Sequence, residues 1–400
     1  MIKLKKLAEI FDHNFHKSYA FSWDNSGLLI GNLGLDIKTI LIALDLDNSI
    51  IEEAIKLKAN LIFTHHPLIF NPIKYIVSND ILGQKILRLI ENKIAVYCAH
   101  TNFDLMTGGL NDYICSILEM KNIKTVFPES LKWFKFVVFV PLEYEEKIRE
   151  VICMSGGGLW KNYSCATFKT IGEGTFKPED GAKPFIGEVG NLSFVKEAKI
   201  ECIVSQENLN NLINNVLKNH PYEEPAFDIF PIENKFEIGG IGKIGNLKKA
   251  LNLNEFLIFL KQKLNLKNFR YIYSANNCKN DNYYNNSEDY LKNSKKNDEI
   301  KNDEIKIQKI ALINGSVNSV VENLKYLDFD TLICGEISYH NAQEISEFGK
   351  VVIEIGHAES EIFAVNHIFN LLNDINQNEN LNLNIIKSKN NSSLWRYLIE

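Results

Sequence analysis

Between residues 39 and 104 the chain runs three times through a short stretch of almost wholly apolar side chains. Each stretch leaves into a polar turn that carries histidine or acid, and two more of the same kind fall between 331 and 360. Strands read this way when both faces are buried, as in a parallel sheet with helices on either side. TILIALDLD (39–47) is followed by Asn48 and Ser49 as candidate N-caps, and then by Ile50, Ile51, Ala54, Ile55 and Leu57 at helical spacing. NLIFT (60–64) comes next and ends at His65, completing a β-α-β unit with a right-handed crossover. A helix over 80–93 and the run IAVYCAHTNFD (94–104) extend the pattern, and TLICGE (331–336) and KVVIEIGHAES (350–360) repeat it. The expected class is α/β, with a three-layer core built on a parallel sheet.

The middle of the chain departs from this rhythm. A strand at 133–140, a helix at 143–154 and a strand near 165–168 are followed by a strand at 199–204, a helix at 209–217 and a strand at 226–230. Strand-helix-strand written twice is the ferredoxin-like order. The expected organisation is therefore a core from 1–130 and 237–400, interrupted by an inserted α+β domain at 131–236. Within 237–400, the Asn-, Lys- and acid-rich tract 275–307, with its direct repeat KNDEIKNDEIK, reads as a solvated, low-complexity loop.

A formal net charge of −6 gives no global bias toward nucleic acid, and no recognition motif for it is evident. No apolar run is long enough to span a bilayer, and the N-terminus lacks a signal-peptide core. Seven scattered cysteines without a CxxC pair point to reduced thiols rather than a thiolate metal site. The expectation is a cytoplasmic protein without a membrane partner.

Ligand-type residues gather at strand exits. His65 and His66 end one run in THHP, His100 and Asp104 follow another in AHTNFD, and His357 ends a third in GHAESE, four residues before Glu361. Open α/β sheets bind ligands at the carboxyl ends of their strands, so the three exits can meet in one crevice. Imidazole and carboxylate without thiolate suit divalent zinc, iron, manganese or nickel, with zinc the first expectation. Adjacent histidines at a strand exit can diverge onto two metals, and Asp104 and Glu361 are candidate bridges between them. His100 reads as a partner of the ligands or a substrate contact.

SWDNSGLLIG (22–31), FTHHPLIF (63–70), AHTNFD (99–104), GEGTF (172–176), NHPYEEPAFDIF (219–230) and GHAESE (356–361) occur in this order. With them the chain resembles the Nif-three-like proteins, known as type 2 homologues of GTP cyclohydrolase I. The resemblance implies two metal ions per chain in the α/β core, held by His65, His66, Asp104, His357 and Glu361, and puts Trp23-Asp24-Asn25 near them, with Asp24 either a turn cap or a residue that orients a ligand or substrate. It further implies that the insert is similar to the PII-like signalling fold, and that chains assemble as toroidal homohexamers with their sites facing an internal cavity.

Two functional readings follow. The first is a metal-dependent hydrolase acting on a nucleotide: opening of the GTP imidazole ring by metal-activated hydroxide, or phosphoester hydrolysis, with His100 assisting the leaving atom and Asp24 beside it. No P-loop is present to hold a triphosphate. The alternative is a metal-binding regulatory or interaction protein without turnover, in which the insert binds a ligand or partner.

Overall fold

The computed structural model describes residues 1–160, 163–274 and 304–391, the side chains of 235–237 excepted. The chain divides into two compact units, Met1–Glu129 with Ile238–Glu400, and Ser130–Glu237. The class is α/β, and the sheets are mixed.

The first unit holds a five-stranded sheet in the order Asn384–Lys387, Thr39–Ala43, Leu61–Thr64, Ala95–Cys98, Gly27–Ile30. The first four strands run parallel and the last is antiparallel. A second set pairs Lys306–Ser316, Thr331–Glu336 and Val351–Glu354 in parallel, with Arg270–Ile272 antiparallel at one side and residues 243–252 antiparallel at the other. The single parallel sheet expected from the sequence thus becomes two mixed sheets. The antiparallel strands Gly27–Ile30 and Arg270–Ile272 have four and three residues, too few to print an alternation.

The apolar runs behave as strands buried on both faces, because successive side chains point to opposite sides. Ile40, Ile42, Leu61, Phe63, Ala95 and Tyr97 join Ile310, Leu312, Ile333, Val351 and Ile353 in one core shared by the two sheets. Leu41, Ala43, Ile62 and Val96 face outward under Ile50, Ile51, Ala54 and Leu89 of the covering helices. The helix Asn48–Leu57 is capped by Asp47, whose carboxylate accepts from the Ile50 N–H, rather than by Asn48 or Ser49. Asp80 caps the helix Ile81–Glu91 in the same way.

Strand Lys306–Ser316 corrects the reading of the 275–307 tract. Ile305 and Ile307, inside the 275–307 tract by sequence, are 2% and 0% exposed and belong to the shared core. The stretch 275–303 lies outside the described residues.

The Ser130–Glu237 unit carries strand, helix, strand, strand, helix, strand. Its strands lie in the order Phe227–Asn252, Lys121–Pro141, Ser193–Ser205, Thr167–Phe176, with the last two pairings antiparallel. The helices Glu145–Met154 and Gln206–Asn219 cover one face through Ile148, Ile152, Leu212 and Val216. Cys153 and Cys165 form a disulfide across 12 residues, which corrects the expectation of reduced thiols throughout. Cys98, Cys115, Cys202 and Cys334 are free and buried. No helix among the described residues is long and apolar enough to cross a membrane.

Two predictions test these assignments. Truncating a fully buried isoleucine removes transfer energy and leaves a cavity, so Ile307→Ala should cost about 2–5 kcal/mol in denaturant unfolding, whereas a solvated loop residue would cost almost nothing. His220 is buried as the neutral ring: its Nε2–H donates to the Phe139 carbonyl, and its Nδ1 accepts from the Tyr222 N–H. Burial lowers its pKa in the folded state, so the unfolded chain takes up the proton first. The unit should lose stability as pH falls below about 6.5. His220→Gln should flatten that slope in thermal unfolding between neutral and acid pH.

Candidate metal centre

The candidate ligand residues follow strands of both sheets. His65 and His66 follow the Leu61–Thr64 strand, and their backbone N–H groups still bond the Ala43 and Leu44 carbonyls. The two residues lie in the bend that follows the strand, and their ring centroids are 5.2 Å apart. Asp104 lies in the short helix Thr101–Leu105 that follows the strand Ala95–Cys98. His357 and Glu361 bound the helix His357–Glu361 beyond the strand Val351–Glu354, and stand one turn apart on one face.

Glu361 sits at the centre and is 3% exposed. Its Oε2 accepts from His66 Nε2 at 2.8 Å and lies 3.2 Å from His357 Nε2. Its Oε1 faces His65 Nε2 at 4.0 Å, and that nitrogen is 3.6 Å from Asp104 Oδ1. His65, His66 and Glu361 each offer a ligand atom within 4.8 Å of the others.

Every histidine of the cluster is anchored through Nδ1. His65 Nδ1–H donates to the Ala99 carbonyl, His66 Nδ1–H to Asp45, and His357 Nδ1–H to Glu336. Metal-binding histidines are commonly oriented by just such an oxygen on the far ring nitrogen. His65 carries the argument furthest, because its Nε2 is buried and makes no hydrogen bond. With the proton on Nδ1, that nitrogen presents a bare lone pair to two carboxylates, which is unfavourable unless a cation stands between them.

The electrostatics agree. Burial lowers His65 to about 3, so it stays neutral. Burial works against protonating His66 too, but hydrogen bonds to Asp45 and Glu361 outweigh it and raise the ring to about 10. The hydrogen bond to Glu361 likewise lifts His357 to about 9. Asp104 moves the other way, pushed up by burial and then by the charge of Glu361. Burial would also raise Glu361, but bonds from His357 and His66 hold it well below the usual carboxylate range. His66 and His357, each set between two carboxylates, are thus held protonated against Glu361, and a divalent cation would displace those protons. The donor set, all nitrogen and oxygen, fits such an ion.

Asp24 and His100 stand beside the cluster as a bonded pair. His100 Nδ1–H donates to Asp24 at 2.8 Å, and its ring centroid lies 5.4 Å from that of His65 and 5.6 Å from that of His66. Asp24 also accepts from Ser26, from the Asn25 N–H, and from the Thr101 N–H and hydroxyl, so it is at once turn cap and histidine anchor. Burial opposes its ionisation, but the bonds from His100, Thr101 and Ser26 win and hold it deprotonated.

Several supporting residues had no signal in the sequence. Asp45 and Glu336 read as ordinary strand-end acids. Asn314 donates to Asp104 Oδ1 at 2.9 Å, and Asn111 donates to the Asp104 carbonyl. Gly315, at φ +63°, leaves room that a Cβ would fill 2.7 Å from Glu361 Oε1. An Asn-Gly pair closing an apolar run was the available clue. Two clefts open on the cluster, one of about 500 Å³ walled by His357 and one of about 600 Å³ walled by His66. Tyr339, beyond the Thr331–Glu336 strand, is exposed with its ring against His340.

The family model for Duf34/NIF3 (NGG1p interacting factor 3) matches residues 2–282 and 279–393. The chain belongs to the Duf34/NIF3 family. Among its relatives, a GTP cyclohydrolase 1 type 2 homolog from Halalkalibacterium halodurans is 35% identical over 357 residues, covering 88% of each chain. A protein of the same name from Bacillus subtilis is 34% identical, covering 90% of this chain and 89% of its own. A Bacillus cereus protein related to NIF3 superposes with a TM-score of 0.74 at 31% identity, covering 99% of both chains.

Gly315→Ala tests the cradle. A side chain in left-handed backbone costs roughly 1–2 kcal/mol, and the added methyl would displace Glu361. Zinc uptake should weaken at least tenfold in equilibrium dialysis, with a modest drop in the unfolding midpoint.

Proposed function

We propose that this Duf34/NIF3 protein is a metal-dependent hydrolase with two divalent ions per chain, acting on a nucleotide. The observation that carries the reading is the division of Glu361. Oε1 faces His65, which in turn faces Asp104, while Oε2 faces His66 and His357, so the donors fall into two groups about Glu361 that would each hold one divalent ion. Zinc suits these ligands best by donor type, with iron, manganese and nickel in its place under other supply. Ions bound there would supply Lewis acidity and a lowered pKa for water.

The chain's own residues do the rest. His100, held by ionised Asp24 through Nδ1, has Nε2 left to pass a proton. That proton would go to the leaving atom. In the cyclohydrolase version, suggested by the names of the relatives, this is a nitrogen of the guanine imidazole ring. In the phosphohydrolase version it is an ester oxygen. The reading includes a PII-like insert and assembly as a toroidal homohexamer, for which exposed Tyr75, Ile76 and Ile81 offer contact surface.

A regulatory reading without turnover draws support from the Ser130–Glu237 unit, whose sheet carries exposed Phe168, Ile171 and Phe194 on adjacent strands. Incubating the zinc-loaded protein with GTP separates the possibilities. Formate with a pterin precursor marks the cyclohydrolase, and phosphate or mononucleotide marks the phosphohydrolase. In either case His100→Ala should lower kcat by about 10²–10⁴ with metal content unchanged, whereas Glu361→Gln should lose metal and turnover together. Retained metal with no product in either assay would leave the regulatory reading.

A further inference from the structure

Beside the cluster stands an aromatic group that neither the metal chemistry nor the fold uses. Trp23 is 58% exposed and Phe70 is 47% exposed, although large aromatic side chains are ordinarily buried. Trp23 stacks on Phe21 at 5.5 Å, meets Phe70 at 5.9 Å, and presents its ring to His100 at 6.4 Å and 77°. His100 in turn is 5.6 Å from His66. Trp23 is therefore one imidazole removed from the candidate metal ligands, with Phe70 against its ring.

Polar bonds of the neighbouring residues hold the segments that carry these rings. Trp23 immediately precedes Asp24, whose carboxylate is pinned by Asn25, Ser26, Thr101 and His100. Phe70 follows Ile69, whose carbonyl accepts from the Asn25 side chain at 2.6 Å. The WDN triplet thus mounts one ring directly, ties down the loop bearing the other, and orients His100. Trp23 and Phe70 are inclined at 51° to each other, so a planar ring can stack on the open face of Trp23 with Phe70 as its side wall, and aromatic side chains hold planar rings without reading their edges.

We propose that Trp23 and Phe70 form a stacking platform for a planar heteroaromatic ring of the substrate, with the rest of that molecule reaching past His100 to the metal ligands. The proposal rests on the nucleotide reading of the same site and adds to it the recognition of the base. The platform accepts a purine by its π-face, and His100 meets the bound ring at its edge.

The test is binding of two probes to the full-length protein by calorimetry: guanosine 5′-monophosphate, and ribose 5-phosphate, which has the phosphate and sugar but no base. The native protein should bind the nucleotide about tenfold more tightly than the sugar phosphate, equivalent to about 1.4 kcal/mol. Trp23→Ala should erase that ratio without weakening the sugar phosphate, Phe70→Ala should reduce it, and Trp23→Phe should restore part of it. Trp23 is largely exposed, so the unfolding midpoint should hold and separate lost stacking from lost fold. A ratio near one in the native protein, a ratio that survives Trp23→Ala, or no binding of either probe overturns the platform. Base-dependent binding with no turnover would keep the platform and remove the hydrolase reading. Turnover with base-blind binding would do the reverse.

Discussion

An ionised carboxylate removed from water costs several kcal/mol unless it is paired, and Glu361 is such a group. It lies at the junction of three strand exits, with one oxygen toward His66 and His357 and the other toward His65, which in turn faces Asp104. Much of the surrounding architecture serves to keep it there. Gly315 supplies space that any side chain would occupy. Ser360 accepts the Gly315 N–H and donates to the His357 carbonyl, linking the short helix to the Lys306–Ser316 strand. Asn314, one residue before that glycine, turns Asp104 toward the same centre.

The anchoring of the histidines has a repeated form. Asp45 leaves the end of one parallel strand and holds His66 at the end of the next, 21 residues later. Glu336 ends another strand and holds His357 beyond its parallel neighbour, again 21 residues later. Each is a β-α-β unit, whose helix returns the chain to the same edge, so an acid on the first strand end and a histidine on the second come into hydrogen-bonding range. One device appears in each sheet, and the two meet on Glu361 Oε2.

Where the sequence was legible, it was because burial left a periodic trace. Runs such as Thr39–Ala43 and Val351–Glu354 are apolar at consecutive positions because both faces pack, and that pattern is local. Histidines just past such runs are conspicuous for the same reason. Strand Lys306–Ser316 was hidden because its start lies in a charged repeat, although Ile305 and Ile307 enter the core. Cys153 and Cys165 gave no signal, since a pair across 12 residues is indistinguishable from two lone thiols until the turn that joins them is drawn. The mixed character of the sheets was lost in strands too short to carry a period.

By itself, the sequence determined the α/β class, the strand exits where His65, His66, Asp104, His357 and Glu361 lie, and, through its ordered motifs, the family. These properties depend on local chemistry and on residues a few positions apart. Only the tertiary structure decided which oxygen of Glu361 faces which histidine, that His65 Nε2 is buried without a hydrogen bond, and that Asp45 and Glu336 are the anchors. It also decided that Trp23 is an open ring beside His100 rather than a core residue. The reason is distance along the chain: His66 and Glu361 are separated by 295 residues, and no local pattern records a contact that two sheets make only when they close on a common core.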